Sequence, residues 1–245
     1  MMKYLLFTIG CLCGVGAVAQ KQVETREQAW TAYFNQTRFT KRSGLWADMH
    51  LRMTGNFVNN TSVTIARAAY VYYITDNTRL SSGYGYVTAY NTSGPDIPEH
   101  RPWQQIQWFD KRKGYNLMQY FRVEERFRRN VVANELTNDY TYSWRFRYNM
   151  AFTIPLVGKE VKPGVPFLFL NDELHVSAGK NVGNNYFDQN RFFVGFGYTF
   201  SPRLNANLGY LNVFQQLPGD ARFVNIHAIR LFVFHNLDLR SKDQD

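Results

Sequence analysis

The stretch that most constrains the fold is residues 192–214, FFVGFGYTFSPRLNANLGYLNVF, where large apolar side chains occupy every second position. The apolar series is Phe192, Val194, Phe196, Tyr198 and Phe200, and after Ser-Pro-Arg it resumes with Leu204, Ala206, Leu208 and Tyr210. A strict period of two predicts two strands joined by a tight turn, each with one bulky apolar face and one small or polar face. Which of these faces points inward decides between a soluble and a membrane β protein.

Similar segments run through the chain after its N-terminus, and little of the sequence has a helical pattern. The candidate strands are 28–39, 45–53, 62–74, 78–90, 101–110, 115–127, 139–154, 167–179, 191–201, 203–215 and 221–239. Most are about 10 to 15 residues long, which is enough to cross a bilayer at a tilt. Short spacers follow the first, third, fifth and ninth candidates.

The number of candidates conflicts with two regularities of bacterial outer-membrane barrels. Such barrels have an even number of strands, and their short turns face the periplasm. Eleven candidates break the first regularity. With the short spacers in the periplasm, the first strand would start outside the cell, although an exported N-terminus should stay in the periplasm. One miscounted strand would remove both conflicts. We therefore expect an all-β fold, a transmembrane antiparallel up-and-down β-barrel of about 12 strands, with 10 as the alternative.

The volume of a barrel interior decides the direction of the two faces. With the bulky face inward, the strands would bring far more aromatic and aliphatic side chains into the lumen than a close-packed interior holds. With the small and polar face inward, the bulky residues face lipid, and Tyr and Trp form girdles near the strand ends. A soluble two-sheet sandwich that buries the same faces is the alternative.

The N-terminus, MMKYLLFTIGCLCGVGAVAQ, has the pattern of an export signal. A basic residue near its start precedes an apolar run that ends in the small-x-small sequence Ala17–Ala19, and this run is too short for a membrane-spanning helix. We expect residues 1–19 to be removed and residues 20–245 to form a single barrel domain. Both cysteines, Cys11 and Cys13, lie in the leader, so the exported domain has none.

Composition and charge point to the cell envelope. Aromatic residues make up 17% of the chain although its mean hydropathy is negative, which fits strands that alternate apolar and polar positions. Loss of Lys3 with the leader changes the formal net charge from +9 to +8. We expect an outer-membrane location, with outer-membrane lipid and lipopolysaccharide as partners of the basic loops and no nucleic acid. Other outer-membrane or periplasmic proteins are further candidate partners.

Charged residues cluster at positions predicted to face the lumen. They are Arg52, Glu99, Arg101, Arg122, Glu124, Arg126, Arg145, Arg147, Glu173 and Arg191, with His175 on the same face as Glu173. Ionic groups at membrane depth are costly unless they pair or line water. We expect Glu124, between Arg122 and Arg126, and Glu173 to hold the surplus arginines in one network that plugs the lumen.

Two functions follow from such a lumen. A plugged lumen favours a scaffold or accessory subunit of an envelope assembly. A lumen that stays open would make a narrow channel for small anionic solutes, because the arginines outnumber the carboxylates.

Signals for catalysis are weak. Glu173, His175 and Ser177 share one strand face, and a lipid-modifying enzyme is therefore the third interpretation. Neighbouring Cβ atoms on one face lie about 6–7 Å apart, too far for direct hydrogen bonds without favourable rotamers. The sequence has no metal-binding or phosphate-binding motif, and we predict no enzyme activity, metal or cofactor.

The segment 99–129, EHRPWQQIQWFDKRKGYNLMQYFRVEERFRR, resembles the domain-of-unknown-function family 2490. The residues that carry the resemblance are Glu99, Arg101, Trp103, Gln104, Gln105, Arg122, Glu124, Arg126 and Phe127, then Asp172–Leu174, Asn190–Phe192 and Gly195–Tyr198. Members of that family are gram-negative outer-membrane proteins taken to be β-barrels. The resemblance covers about residues 28–237 and implies the location and the fold. It implies no activity and no catalytic residue.

Overall fold

The structure is a computed structural model that describes residues 21–180, 182, 186–217 and 221–240. The predicted signal peptide, residues 1–19, lies outside these residues. In the described part of the chain, no helix has the length and apolar character that a membrane span requires.

Eleven strands of the described residues form one closed barrel. They are β1 (Gln22–Arg38), β2 (Ser43–Thr54), β3 (Asn60–Tyr73), β4 (Thr78–Ala89), β5 (Ile97–Arg112), β6 (Tyr115–Val132), β7 (Glu135–Pro155), β8 (Pro166–Ala178), β9 (Phe187–Ser201), β10 (Leu204–Gln216) and β11 (Arg222–Asp238). Each strand corresponds to one candidate segment, because the period-two alternation persists along each of them.

The barrel closes between its first and last strands, which run parallel. The pairing extends in register from Gln22 and Arg222 to Arg38 and Asp238, whereas all other neighbouring strands are antiparallel. An up-and-down barrel with an odd number of strands leaves its first and last strands pointing the same way, so it can close only through a parallel pair. The β-barrel fold is confirmed. The count of eleven lies one strand from the expected 12 and from the alternative of 10.

The strand directions define two ends of the barrel. We call the end at which β1 begins the N-terminal rim, and the end at which β11 finishes the C-terminal rim. The connections at the C-terminal rim are 39–42, 74–77, 113–114, 156–165 and 202–203. Four of these five are short turns, so the rim is shallow on most sides.

The bulky apolar faces point outward. On β9, Phe192, Phe196 and Phe200 are 45%, 64% and 59% exposed, whereas Phe193 between them is fully buried. Leu208 on β10 is also exposed. The outward direction predicted for the bulky alternating positions of residues 192–214 is therefore confirmed. The inner face is not wholly small or polar, because Phe193, Leu211 and Val213 also point inward.

Three of the five tryptophans depart from the expected girdle. Trp30 and Trp103 are buried inside the barrel, and Trp46 also points inward, where its Nε1 donates to Asp48 Oδ2 at 2.5 Å. Trp103 pairs with Gly83 across the β4–β5 ladder. A Cβ atom at Gly83 would lie 2.4 Å from the Cβ atom of Ala69, so this glycine permits the close approach of β3 to β4.

One side of the lumen is filled by apolar packing. The buried cluster consists of Trp30, Phe193, Leu211, Val213, Val224, Ile226 and Ala228. Glycine permits similar close packing on β9, since a Cβ atom at Gly197 would lie 2.2 Å from the ring of Phe167. The interior is thus packed side chain against backbone at this position.

Candidate functional site: the charged lumen

Two strand ladders bring basic side chains directly opposite one another inside the lumen. Arg122 of β6 pairs with Arg147 of β7, which pairs in turn with His175 of β8. Like charges opposite each other in a sheet are destabilising. This row therefore needs carboxylates from neighbouring positions, and Glu124 and Glu173 lie one inward step away.

Arg147 is the centre of the resulting network. Its Nη1 donates to Glu124 Oε1 at 2.6 Å, while its Nε and Nη2 donate to Glu173 Oε1 at 2.9 and 2.5 Å. Nη2 also donates to the Tyr120 hydroxyl at 3.1 Å, and that hydroxyl donates to Glu173. Glu124 is 1% exposed and Glu173 5% exposed. One buried guanidinium thus bridges carboxylates of β6 and β8 across β7.

Each of these carboxylates also lies near a further cation. Arg122 Nη1 lies 3.7 Å from Glu124 Oε1. Glu173 Oε2 lies 3.0 Å from His175 Nε2 and 3.6 Å from Arg191 Nη1. Sharing of two carboxylates among several cations makes the centre of the lumen a connected ionic network.

A second ionic cluster lies closer to the N-terminal rim. Glu99 Oε1 accepts hydrogen bonds from Arg101 Nε at 2.5 Å and Arg126 Nε at 2.6 Å, and Arg126 Nη2 donates to Glu99 Oε2 at 2.9 Å. Asp188 Oδ2 accepts from Arg145 Nε at 2.7 Å and lies 3.7 Å from Arg126 Nη1. These contacts join β5, β6, β7 and β9 across the interior.

A third cluster joins β2 and β3. Arg67 Nε donates to Asp48 Oδ1 at 2.9 Å, and His50 Nε2 lies 2.9 Å from the same oxygen. With the indole of Trp46 on its other oxygen, the carboxylate of Asp48 has partners on both sides. Asp48 is accordingly almost fully buried.

Some lumen arginines have aromatic rings in place of carboxylates. The guanidinium carbon of Arg52 lies 3.7 Å from the centre of the Trp30 ring, and that of Arg230 lies 3.3 Å from the centre of the Phe193 ring. Among the described residues, no hydrogen bond or ion pair involves the side chain of Arg52, and Arg230 Nε has no partner. An aromatic face attracts a cation but accepts few of its N–H groups. These two arginines therefore retain free donors.

The interior as a whole is basic. The arginines that point into it are Arg52, Arg67, Arg79, Arg101, Arg122, Arg126, Arg145, Arg147, Arg191 and Arg230. The carboxylates are Asp48, Glu99, Glu124, Glu173 and Asp188. The excess of positive charge favours anions over cations in any space that the lumen leaves free.

That free space lies in the C-terminal half of the barrel. A cavity of about 140 Å³ occupies the middle of the lumen. A wider vestibule of about 460 Å³, lined partly by Asp76 and Asn77 of a turn, lies at the C-terminal rim. The two spaces share the wall residues Trp46, Gln107, Met118, Phe169 and Phe234. They are therefore adjacent and form one path from the C-terminal rim to the centre.

The N-terminal half is packed. The Glu99–Arg126–Asp188 contacts fill one side of it. Val213 and Val224 of the apolar cluster fill the other side and are essentially inaccessible to water. The central cavity thus ends in packed side chains on the side away from the vestibule.

Comparison with known proteins covers most of this barrel. The family described as a protein of unknown function (DUF2490) matches residues 27–224. The chain belongs to this family. No curated protein and no solved structure matches the chain. The matched DUF2490 region runs from β1 to the start of β11 and contains all three ionic clusters.

The DUF2490 barrel brings the predicted lumen residues together, with two differences from the expected network. All of the predicted charged positions point inward. Arg52 shares the space but stands outside the ion pairs among described residues. Arg126 binds Glu99 and not Glu124, because the stagger of β5 against β6 places Glu99 within its reach.

Glu173, His175 and Ser177, the residues that suggested a lipid-modifying enzyme, do not form a continuous chain of hydrogen bonds. His175 Nε2 does lie 3.0 Å from Glu173 Oε2, closer than the strand spacing suggested, because the side-chain rotamers bring them together. However, Ser177 Oγ donates its single proton to Asp188 Oδ2 at 2.5 Å. His175 is fully buried, so a substrate would not reach it.

Several lumen residues were missed, among them Asp48, Arg67 and Arg230. Two others, Asp188 and Tyr120, were missed for different reasons. Asp188 sits in a β-bulge: Gln189 pairs with His175 and Phe187 with Val176, which leaves Asp188 unpaired with its carboxylate inward. It precedes the candidate strand 191–201, and alternation continued back from that strand would also have pointed it outward. Tyr120, in contrast, lies at an inward position of β6, and the alternation that marked its neighbours was sufficient to find it.

Asp188 also connects the second ionic cluster, around Glu99, to the central network around Arg147. It holds Arg145 at 2.7 Å, and Arg145 Nη1 lies 4.0 Å from Glu124 Oε2. Within the residues that the structure describes, no three His, Cys, Asp or Glu side chains are grouped to bind a metal ion. The donor set of the lumen is that of an ion-pair network.

Proposed function

We propose that this DUF2490 protein is a non-catalytic, integral β-barrel of the gram-negative outer membrane that serves as a scaffold or accessory subunit of an envelope assembly. The observation that carries the proposal is the inverted distribution of polarity. Met49 and Tyr70 on the outside are 68% and 55% exposed, whereas the interior holds buried ion pairs. Exposed apolar rings over a whole barrel are unfavourable in water and favourable in a bilayer.

The N-terminal sequence supports export, because residues 1–19 have the pattern of a cleaved signal. The connections support an orientation. Outer-membrane barrels place short turns in the periplasm, and the C-terminal rim has four short connections out of five. We infer that the C-terminal rim faces the periplasm and the N-terminal rim faces the cell exterior. With eleven strands, this orientation starts β1 at the cell exterior and ends β11 in the periplasm.

The packed N-terminal half supports a closed lumen. In a water-filled pore, the charged groups would be solvated and would not need one another. Here Glu124, Arg122 and Arg147 are each less than a tenth exposed and lie within ion-pair distance. A barrel that does not conduct and has no catalytic group is suited to holding position in a membrane and to binding protein neighbours.

A narrow channel for small anionic solutes is the second candidate. It is favoured by one observation, the excess of arginines over carboxylates along the lumen. A channel would require the packed N-terminal half to open, and the salt bridges around Glu99 oppose that opening. A lipid-modifying enzyme is the third candidate and has no assembled relay behind it.

Two measurements test the proposal. The protein should fractionate with outer membranes and resist carbonate extraction, and recovery in the soluble periplasmic fraction would contradict it. After purification in mild detergent, a scaffold should carry other envelope proteins at a fixed ratio, and planar bilayers containing it should show no steady current. A steady anion-selective current from protein that purifies alone would establish the channel instead.

A further inference from the structure

We propose that the C-terminal half of the lumen is a one-ended pocket for a small organic carboxylate with an apolar body. Its head group would bind Arg52, Arg191 and Arg230 at the centre of the barrel, and its body would point toward the C-terminal rim. The proposal concerns a bound ligand and goes beyond a scaffold role.

The floor of the pocket consists of positive charge that the protein itself leaves incompletely neutralised. Arg52 and Arg191 lie on the Trp30 ring, with guanidinium carbons 3.7 and 5.2 Å from its centre. Arg230, on the next strand, is directly opposite Trp30 in the β1–β11 pairing. All three arginines line the same cavity.

These arginines have donors to offer. The side chain of Arg52 has no hydrogen bond or ion pair among the described residues, and Nε of Arg230 has no partner although that residue is 5% exposed. The guanidinium group is planar and matches a carboxylate with two parallel N–H groups. A buried cation without a counter-charge is costly, so a carboxylate at this position would relieve that cost.

The wall above the floor is aromatic. Phe34, Trp46, Phe169, Phe232 and Phe234 line the cavity between the arginines and the vestibule. Each lies closer to the C-terminal rim along its strand than the arginine of the same or the adjacent strand. A free inorganic anion would leave this collar without a partner, whereas an apolar body attached to the head group would fill it.

The volume of the central cavity limits the size of the ligand that the pocket accommodates. The central cavity measures about 140 Å³, and an apolar cavity of about 150 Å³ in another protein accommodates benzene. A ring or a short alkyl chain therefore fits, and a longer body would extend into the vestibule of about 460 Å³. Among the described residues, packed side chains close the N-terminal half, and we propose that the pocket binds and releases through the vestibule.

Binding of phenylacetate to the purified protein in lipid nanodiscs tests the proposal. Its controls are 2-phenylethanol, which has the ring without the charge, and acetate, which has the charge without the ring. Tryptophan fluorescence is a suitable signal because Trp30 and Trp46 line the cavity. We expect saturable binding of phenylacetate and at least tenfold weaker binding of both controls. Absence of saturable phenylacetate binding, or equal binding of 2-phenylethanol, would overturn the proposal.

A matched pair of variants assigns the site. Arg52→Gln should weaken phenylacetate binding at least tenfold, and its folding should persist because Arg52 leaves no carboxylate unpaired when it is removed. Arg42→Gln removes an exposed arginine of the 39–42 turn and should leave binding unchanged. Wild-type affinity in Arg52→Gln would overturn the assignment.

Access from one end is tested without changing the lumen. Asn77→Cys lies at the vestibule, and Ser93→Cys lies in an exposed connection at the opposite rim. A bulky maleimide on Cys at position 77 should slow phenylacetate binding at least tenfold, and the same label at position 93 should not. The reverse result would contradict a pocket that opens at the C-terminal rim.

Discussion

Arg147 Nη1 lies 2.6 Å from Glu124 Oε1, and this ion pair joins β7 to β6 where water is nearly excluded. The same arginine stands directly opposite Arg122 in the ladder. Glu124 therefore separates two positive charges that would otherwise repel each other. The stability of the barrel should therefore depend on both members of this pair.

Loss of the Glu124 carboxylate should be strongly destabilising. Glu124→Ala leaves buried positive charge without its partner and should lower the free energy of unfolding by about 3–5 kcal/mol. Glu24→Ala is the control, because Glu24 forms its ion pairs with Arg26 and Arg222 at an exposed position, and stability should hardly change. Urea unfolding of both variants in lipid vesicles provides the comparison, and equal effects would argue for a solvated lumen.

In the same assay, replacement of an ion-paired arginine should lower the free energy of unfolding, whereas replacement of an arginine without an ion pair should not. Arg147→Leu strands the carboxylates of Glu124 and Glu173, and we expect a loss of about 3–5 kcal/mol. Arg52→Leu strands no carboxylate, so its unfolding free energy should stay the same or rise. A larger loss for Arg52→Leu than for Arg147→Leu would show that the ion pairs are wrongly assigned.

The two faces of β9 should respond differently to the same new charge. Phe196→Arg places a cation on the outer face near mid-strand and should cost about 2–4 kcal/mol in a bilayer. Thr199→Arg places it on the inner face at the wall of the vestibule of about 460 Å³, which has room for the longer side chain, and should cost much less. Gly197 is unsuitable as the inward control because a Cβ atom there meets the Phe167 ring. Similar losses at positions 196 and 199 in a refolding assay would refute the face assignment.

The orientation is testable on intact cells. Ser93→Cys, at the N-terminal rim, should react with a membrane-impermeant maleimide without further treatment. Asn77→Cys, at the C-terminal rim, should react only after the outer membrane is permeabilised. Labelling in the opposite order would place the C-terminal rim outside and would reverse the inferred direction of the pocket.

Much of the fold was predictable because alternation is a local property. The spacing of Phe192, Phe196 and Phe200 is sufficient to mark a strand and its outer face, and lumen volume then fixes the direction. Closure is not local. The parallel pairing of β1 with β11 leaves no mark on either sequence, so an even strand count was the natural expectation.

The sequence was sufficient to predict many of the charged residues that line the lumen, but not which of them form ion pairs with one another. Glu124, Arg147 and Glu173 were identified because they alternate with the apolar, outward-facing positions of their strands. Which arginine meets which carboxylate depends on the stagger between strands, so Arg126 was assigned to Glu124 although it binds Glu99. Asp188 was missed because it precedes the candidate strand 191–201, whereas β9 begins at Phe187, and because a bulge turns its side chain inward.

The most direct test of the central claim is the environment of the outer face in native outer membranes. After Cys13 the sequence has no cysteine, so single spin labels can be attached at Phe196→Cys and, as a control, Ser93→Cys. Lipid-soluble oxygen accelerates the electron spin relaxation of a label in lipid, and a water-soluble nickel complex accelerates that of a label in water. The two accelerations therefore show whether lipid or water surrounds each label. We predict that the label at position 196 is more accessible to oxygen than to the nickel complex, and that the label at position 93 is more accessible to the nickel complex. Nickel accessibility at position 196 as high as at position 93 would contradict a barrel with its apolar face in lipid.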